Sequence, residues 1–291
     1  MKIQTMMNRR MLAGLAGLLI FSAASMAQSF GDIYEKQIPQ NEKINYTYLG
    51  ESDVVWSKRL YRIIDLREKM NLNLYYPSLR YDADKNRFVS EMSDGRMNFS
   101  GILLNEILAG TVTATDGDAM TVPTTYNDIA AKMNRDTMTI AIVDANGMEH
   151  DSTVTNMENP ADIKQIMLLE EWYFDKKHSR LDVRIIGICP IYMGYDQITA
   201  RLVKRRLFWI RYEDVRLALA RSEAFNDFND AQRISFEDLL LQRRFNGYIV
   251  AESNVYDDRY INQYKMGPSQ IYEAERIKNE IFNFEQDLWE Y

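Results

Sequence analysis

The residues that could carry catalysis are two histidines, one cysteine and a few clustered carboxylates. His150 and His178 lack a second ligand at the spacing that a bound transition metal requires. Glu170 and Glu171 are adjacent, as solvated surface pairs usually are, whereas a carboxylate-dependent hydrolase needs two carboxylates that face one bond from separate positions. We therefore predict no catalytic residue, no metal site and no cofactor, and such a hydrolase is the least favoured alternative.

Cys189 is the single cysteine of the chain, so an internal disulfide is excluded. It lies within the apolar sequence Ile185–Ile191, which is typical of a buried strand. A reactive thiol needs an accessible, electropositive surrounding. We predict that Cys189 is a small core residue without chemistry.

A basic cluster occupies the sequence from Lys204 to Arg221. Its members are Lys204, Arg205, Arg206, Arg211, Arg216 and Arg221, with acidic neighbours at Glu213, Asp214 and Glu223. Surface ion pairs are one interpretation of this mixture. A face that binds another protein is the sharper one, and the sequence leaves both open.

The aromatic content motivates a further alternative. The chain has 18 tyrosines and 4 tryptophans, and exposed aromatic rings can stack on sugars. A secreted glycan-binding module is therefore our second hypothesis for function. Two short sequences, Asp136-Thr137-Met138 and Asp151-Ser152-Thr153, also match the acceptor pattern for O-glycosylation in Bacteroidetes.

Residues 1–27 have the three regions of a secretory signal peptide. Basic residues precede an apolar run from Met11 to Ala24, and small residues precede the expected cleavage site after Ala27. The run is shorter than the roughly 20 apolar residues that span a membrane. We expect a soluble protein of the periplasm or cell exterior without a membrane span, and residues 28–50 are predicted to be an extended N-terminal segment.

Charge argues against one class of partner. Loss of residues 1–27 removes three basic and no acidic residues, so the formal charge changes from −7 to −10, with 32 basic and 42 acidic residues remaining. A strongly acidic chain is repelled by nucleic-acid phosphates. We expect no nucleic-acid partner.

The block from Trp56 to Asn71 carries an unusual density of charge. Its apolar residues recur at helical spacing and most of its charges fall on the opposite side, which predicts an amphipathic helix. Lys58 and Arg59 lie near the predicted N-terminus, where the helix dipole disfavours cations. A solvated helix face and a face that binds a partner both fit this pattern, and the misplaced charges favour the second.

Periodicity and turn residues predict the remaining elements. Helices are predicted at 99–108, 162–176 and 213–225, and from Ser269 nearly to Tyr291; strands are predicted at 72–77, 138–143, 148–155, 183–191 and 207–212, with a hairpin turn at Asn146-Gly147. The fold class is therefore α+β. In the C-terminal helix the apolar residues form a narrow seam, which suits packing on its own domain or docking against a partner.

A self-comparison indicates an internal repeat. Residues 99–114 align without a gap to residues 236–251, and each copy is predicted as a helix, a glycine stop and a strand. The working division is into loosely related helix-plus-strand halves at 51–155 and 156–266, followed by a C-terminal amphipathic helix at 267–291.

The block Trp56-Ser-Lys-Arg-Leu-Tyr-Arg-Ile-Ile-Asp-Leu-Arg-Glu-Lys-Met-Asn71, joined to residues 236–248 and to Val255–Arg259, resembles the gliding-motility family GldN, also called PorN. The resemblance covers nearly all of the mature chain, and the first block is its most specific part. It implies a periplasmic, non-enzymatic component of the type IX secretion system on the inner face of the outer membrane. Members form rings with an outer-membrane lipoprotein, GldK or PorK, and work with the inner-membrane-anchored GldM or PorM.

Tryptophan and arginine commonly dominate protein contacts once they are buried. We accordingly predict two sets of interface residues, one in the first block and one in the C-terminal helix: Trp56, Arg59, Arg62 and Asp65; and Ile277, Ile281, Phe284 and Leu288. The partners expected from the resemblance are the lipoprotein, the inner-membrane-anchored protein and further copies of this chain.

Overall fold

The computed structural model describes residues 38–82, 84–92, 95–133, 137–143, 149–155, 159–195, 201–226, 229, 232–256 and 258–288, and of residues 137–143 and 149–155 only the backbone. The predicted signal peptide, the Asn146-Gly147 turn and Asp136 of the first acceptor sequence lie outside the described residues. Glycosylation of either sequence stays a prediction.

Strands and helices alternate along the chain. The strands are β1 (Val54–Asp65), β2 (Leu79–Asp82), β3 (Arg87–Ser90), β4 (Thr115–Asp116), β5 (Val122–Pro123), β6 (Thr137–Val143), β7 (Glu149–Thr155), β8 (Ile163–Asp175), β9 (Arg180–Tyr195), β10 (Leu202–Arg206), β11 (Ile210–Arg211), β12 (Glu223–Ala224), β13 (Ile234–Ser235) and β14 (Tyr248–Glu252). The helices are α1 (Leu72–Tyr75), α2 (Phe99–Leu108), α3 (Tyr126–Lys132), α4 (Tyr212–Ala220), α5 (Phe236–Leu241) and α6 (Ser269–Asp287).

The main sheet is antiparallel and has the strand order β10-β9-β8-β1-β14, with β11 also paired to β9. A large apolar cluster joins it to the helical layer that contains α2, α4 and α5. A second cluster, which includes Trp209 and Met120, covers the opposite face. A third lies beneath α6. The predicted α+β class and the C-terminal helix are confirmed.

The predicted helix from Trp56 to Asn71 is wrong, because most of the block is strand β1. Side chains alternate between the two faces of a strand. Leu60 and Ile64 therefore lie on one face of the sheet, and Tyr61 and Ile63 lie on the other. Each face is covered by an apolar cluster, so all four side chains are buried. Burial on both faces gives a nearly continuous apolar run, which matches helical and strand spacing equally well.

The positive charges that conflict with a helix N-terminus have partners across the sheet. Lys58 Nζ lies 2.5 Å from Glu252 of β14, and Arg59 Nε lies 3.6 Å from Glu171 of β8. Opposite charges on neighbouring strands stabilise a sheet. The unusual charge order of the block is therefore explained by strand pairing.

The predicted helix at 162–176 is also wrong, since β8 occupies it. β8 is a central strand between β1 and β9. Ile166 and Leu168 pack towards the helical layer, while Met167 and Leu169 pack towards the opposite cluster. Four consecutive buried apolar residues conceal the two-residue period that would have predicted a strand.

The other predictions are mostly confirmed. Helices α2, α4 and α6, the hairpin strands β6 and β7, and strand β9 lie where the sequence placed them, within a few residues. The segment predicted as a strand at 72–77 instead begins with helix α1. A strand is predicted at 207–212. In the structure Ile210 and Arg211 form strand β11, and helix α4 begins at Tyr212.

The aligned helices of the internal repeat, α2 and α5, begin in the same way. The Gly101 N–H donates to Asn98 Oδ1 at 2.8 Å, and the Asp238 N–H donates to Ser235 Oγ at 3.1 Å, so each helix has a side-chain N-cap. The aligned rings of Phe99 and Phe236 also contact each other, with centroids 5.7 Å apart.

The two copies diverge after these helices. Gly110 has a positive φ of 71° and residues 111–114 form no strand, so the predicted strand of the first copy is wrong. Gly247 instead lies against the backbone of Ile63, where a Cβ would meet the carbonyl oxygen at 2.7 Å, and β14 follows it. Because β1 pairs with both β8 and β14, the predicted halves share one sheet; their boundary stays a prediction.

Candidate protein-interaction surface

The two predicted sets of interface residues meet within the chain. The Trp56 ring on β1 stacks on Phe284 of α6, with centroids 4.6 Å apart and an interplanar angle of 25°. Ile277 and Ile281 are buried against Leu60 and neighbouring apolar residues. The apolar seam of α6 therefore packs against the main sheet of the same chain. Of the two arrangements that the sequence allows, packing on its own domain is the one observed.

A belt of charged groups also ties α6 to the sheet. Arg276 contacts Glu273 at 2.7 Å, Glu280, and Glu252 of β14 at 3.3 Å. Hydrogen bonding to Glu273 is the main cause that raises the pKa of Arg276, and it lowers the pKa of Glu273. Glu252 in turn contacts Lys58 of β1, so the helix, the edge strand β14 and β1 are joined by one ionic network.

Arg62 lies in a buried carboxylate clamp. The Glu170 carboxylate, which is fully buried, accepts hydrogen bonds from Arg62 Nε at 3.1 Å, Arg243 Nη2 at 2.9 Å and Trp172 Nε1 at 3.0 Å. Arg62 Nη1 also donates to the Gly247 carbonyl oxygen at 3.0 Å. Burial lowers the pKa of Arg243 despite the attraction of Glu170. The clamp fastens β1, β8 and the loop before β14 together.

The prediction that Glu170 and Glu171 form a solvated pair is thus wrong for Glu170. The available signal was its position directly after the apolar run of β8, with Trp172 following. A carboxylate in such a place needs buried donors. Sequence reasoning missed Trp172 and Arg243 because they become neighbours of Glu170 only in the folded sheet.

Arg59 and Asp65 complete the first predicted set. The Arg59 side chain is 58% exposed. The Asp65 carboxylate accepts hydrogen bonds from Arg67 Nε at 2.9 Å and from Gln165 Nε2 at 3.0 Å. The hydrogen bond from the Arg67 side chain is the main cause that holds the pKa of Asp65 well below its usual range. Of the four residues in this set, Arg59 therefore offers the most accessible charge.

Helix α6 and the segment before it carry a set of large exposed apolar side chains: Val255, Tyr256, Met266, Ile271, Tyr272, Phe282 and Leu288. Leu288, from the second predicted set, is 36% exposed, although its spacing from Ile281 and Phe284 places it on the seam side of the helix. Large apolar side chains exposed on a helix and its neighbouring segment are candidates for protein contacts. We call these seven residues the outer apolar surface.

The extended N-terminal segment is fastened across α4. Arg216 of that helix is 1% exposed and contacts Glu237 at 2.7 Å and Glu213 at 2.9 Å. It also donates to the Ile44 carbonyl oxygen, and its guanidinium lies 4.0 Å from the centroid of the Tyr46 ring. Within the basic cluster, Arg216 is thus buried and holds the N-terminal segment against α4. The sequence predicts either a surface ion pair or a contact with another protein at this position, and Arg216 makes neither.

His178 and Cys189, two of the residues that the sequence considered for catalysis, have separate surroundings. His178 Nδ1 lies 2.6 Å from Asp175 Oδ2 beside the β8–β9 turn, while Cys189 is fully buried in β9. Burial raises the pKa of the Cys189 thiol to about 12, so its predicted role as a core residue is confirmed. In the part of the chain that the structure describes, no group of three or more histidine, cysteine or acidic residues is placed to hold a metal ion.

A search of the described helices for membrane spans found none of sufficient length and apolar character. Comparison with protein families gives one finding: the family model described as "Gliding motility associated protein GldN" matches residues 49–290. The matched range includes the main sheet, helix α6 and every predicted interface residue. No curated protein matches the chain.

Proposed function

The chain belongs to the GldN family of gliding motility associated proteins, and we propose that it serves there as a non-enzymatic structural subunit of the type IX secretion system. The observation that carries this proposal is the family match over residues 49–290. The arrangement of the conspicuous charged residues supports it, since Arg62, Arg216 and Glu170 contact residues of the same chain rather than converge on an open catalytic cleft.

The proposed assembly is a periplasmic ring. The subunit forms it with a GldK- or PorK-like outer-membrane lipoprotein, works with a GldM- or PorM-like protein, and is held at the inner face of the outer membrane by these contacts. The signal-like N-terminus of residues 1–27 supports export. The location and both partners follow from the family resemblance and are part of the proposal.

The outer apolar surface and Arg59 are the contacts that we propose for the neighbours. The buried seam of α6 is unavailable while the helix is docked, because Ile277 and Ile281 are covered by the sheet. Exposed aromatic and arginine side chains are the types that protein interfaces enrich. We therefore propose two separate contact regions, one on α6 and the segment before it, and one at Arg59 on the face of β1 that points away from α6.

Complementation of a deletion strain tests the choice of Arg59. Arg59→Glu reverses an exposed charge, so the proposal predicts a folded protein with impaired ring assembly and secretion. Arg87→Glu, an exposed arginine on β3, is the matched control and should restore both. Charge reversal of Arg62 is unsuitable, because it would set two carboxylates side by side in the buried clamp.

Normal secretion and assembly with Arg59→Glu would remove Arg59 from the proposed interface. Normal secretion and gliding in the deletion strain itself would overturn the function. Thermal melting of the purified variants separates a lost contact from a lost fold. Arg59→Glu places a carboxylate opposite Glu171, so it should cost about 1 kcal/mol and leave the protein folded.

A further inference from the structure

A pocket with a volume of about 270 Å³ lies between α6 and the loop that joins α5 to β14. Its cationic lining consists of Arg62 on β1, Arg243 in the loop and Lys278 on α6, and none of the described residues that line it is acidic. The carboxylate that both arginines contact, that of Glu170, is fully buried and does not line the pocket. The pocket is therefore basic, although the chain as a whole is acidic, with a formal charge of −7.

Positive charge exceeds negative charge in the clamp behind this pocket. Arg62 Nε and Arg243 Nη2 lie 3.1 and 2.9 Å from the same oxygen atom, Glu170 Oε1. Two guanidinium charges thus share one carboxylate, which leaves one positive charge in excess. The pKa of Arg243 is lowered by burial and by the charge of Arg62, against the attraction of Glu170. A partly buried charge without a counter-ion is costly, so an anion in the pocket would be stabilised.

Arg243 has hydrogen-bond donors that the fold leaves unused. Its side chain is 28% exposed, and only its Nη2 donates to a described residue, so the N–H groups of Nε and Nη1 are open to a ligand. The guanidinium carbon lies 5.2 Å from the ring centroids of both Trp172 and Phe245, which restrict its orientation. A guanidinium group held in this way is well suited to the oxygens of a carboxylate or a phosphate.

Lys278 brings a third cation to the pocket from a separate element. It lies on α6, is exposed, and has no hydrogen bond or ion pair with a described residue. Glu275, which precedes it by three residues, does not line this pocket. The Glu68 carboxylate contacts Asn246, another lining residue, at 2.8 Å and has no ion pair with a described residue. Because solvent and salt screen an exposed charge, Lys278 is a secondary contact for an anion.

We propose that this pocket binds an oxyanion, the carboxylate or phosphate group of a small ligand, in contact with Arg62, Arg243 and Lys278. The anion neutralises the excess charge of the clamp and accepts hydrogen bonds from the free N–H groups of Arg243. Since Arg62 lies on β1 and Lys278 on α6, the bound anion also links the helix to the sheet. This binding goes beyond the proposed structural role and requires no partner protein.

An NMR titration of the arginine side-chain Nε–H groups tests the site on the purified chain. Inorganic phosphate and acetate are added in separate titrations at constant ionic strength, with sodium chloride as the balancing salt. Saturable shifts of the Arg62 and Arg243 signals are expected, with a dissociation constant on the order of 1 mM. A response to phosphate alone supports a phosphate ligand, and a response to acetate alone supports a carboxylate ligand.

Arg243→Gln removes the excess charge and should weaken binding at least tenfold, read from the Arg62 signal. The variant keeps Arg62 and Glu170 as a one-to-one pair, and glutamine has the same backbone cost as arginine at the positive φ of 53°. Arg244→Gln is the matched control, because this neighbour is exposed and does not line the pocket; it should leave the affinity within twofold. Lys278→Gln should weaken binding about threefold, and its exposed position keeps the test valid even if Arg243→Gln is unstable.

Absence of saturable shifts with both phosphate and acetate would overturn the proposal. Equal weakening by Arg244→Gln would show a non-specific charge effect and overturn the site, as would unchanged affinity in both the Arg243→Gln and the Lys278→Gln variants. The titration of the purified chain is measured without the secretion machinery, so its failure is distinguishable from failure of the proposed function.

Discussion

Replacement of Ile277 by alanine probes the docking of α6 on the sheet. Ile277 is 0% exposed and packs in the cluster that contains Leu60, Ile249 and Ile281. Removal of three buried carbon atoms costs the transfer free energy of those atoms and leaves a cavity. Substitutions of isoleucine by alanine at such positions cost about 2–5 kcal/mol.

Ile271 provides a matched control on the same helix. It is 64% exposed, so the identical change to alanine should alter stability by no more than about 0.5 kcal/mol. Both substitutions change helix propensity in the same direction. The difference between the two variants therefore measures burial against the sheet.

Hydrogen exchange read by mass spectrometry is the assay, with guanidinium denaturation alongside it. If α6 opens locally, Ile277→Ala should raise exchange in α6 about 100-fold, which corresponds to roughly 2.7 kcal/mol. Exchange in the central strands β8 and β9 should change less. Equal exchange in the two variants, or a loss of stability below about 1 kcal/mol for Ile277→Ala, would refute the docking of α6 through its seam.

Three other perturbations have defined outcomes. Glu170→Gln should destabilise the protein by about 3–5 kcal/mol in a denaturant melt, because Arg62 and Arg243 lose their buried counter-charge, whereas Glu171→Gln should cost no more than about 1 kcal/mol; similar costs would contradict the clamp. Cys189, whose thiol pKa burial raises to about 12, should react with a thiol reagent in denaturant but not in the native protein, and stoichiometric native labelling at neutral pH would show that the site opens. Asp65 has a lowered pKa, so its carboxylate stabilises the fold above the ordinary carboxyl pKa of about 4, and this stabilisation is lost as the pH falls through the lowered pKa. Asp65→Asn should therefore be less stable than the unchanged protein at pH ~7, and the difference in their free energies of unfolding, measured in urea, should shrink on acidification. A difference that stays constant or widens would contradict the lowered pKa of Asp65.

Helices with clear boundaries could be predicted from the sequence. α2 has an N-cap at Asn98 and ends near Gly110, and α6 follows Gly267-Pro268. These signals are local, because capping groups and helix breakers act within one turn. The start and end of these helices can therefore be predicted from the sequence without knowledge of the fold.

The central strands could not be predicted in the same way. β1 and β8 are buried on both faces, so the distinction between a two-residue and a 3.6-residue period is lost in an apolar run. Their charged residues fit a helix surface until their partners on neighbouring strands are known. Arg62 and Glu170 are 108 residues apart in sequence, and no local pattern joins them.

The assignment of the candidate interface residues to partner contacts stays a prediction. The sequence predicts Trp56 and Phe284 as two separate partner contacts, whereas their rings stack on each other in the structure. A narrow apolar seam fits a partner's groove and the chain's own sheet equally well, because burial is required in both cases. Arg59 remains a candidate for contact with a neighbour, whereas the role of Arg62 inside the clamp became visible only in the fold.

We propose that this GldN-family chain is a structural subunit held at the outer membrane by protein contacts. Fractionation of cell envelopes, with the chain followed by immunoblotting in strains with and without the GldK- or PorK-like lipoprotein, tests it most directly. The chain should sediment with the outer membrane when the lipoprotein is present and should appear in the soluble periplasmic fraction when it is absent. Retention at the outer membrane in the strain without the lipoprotein would contradict the claim.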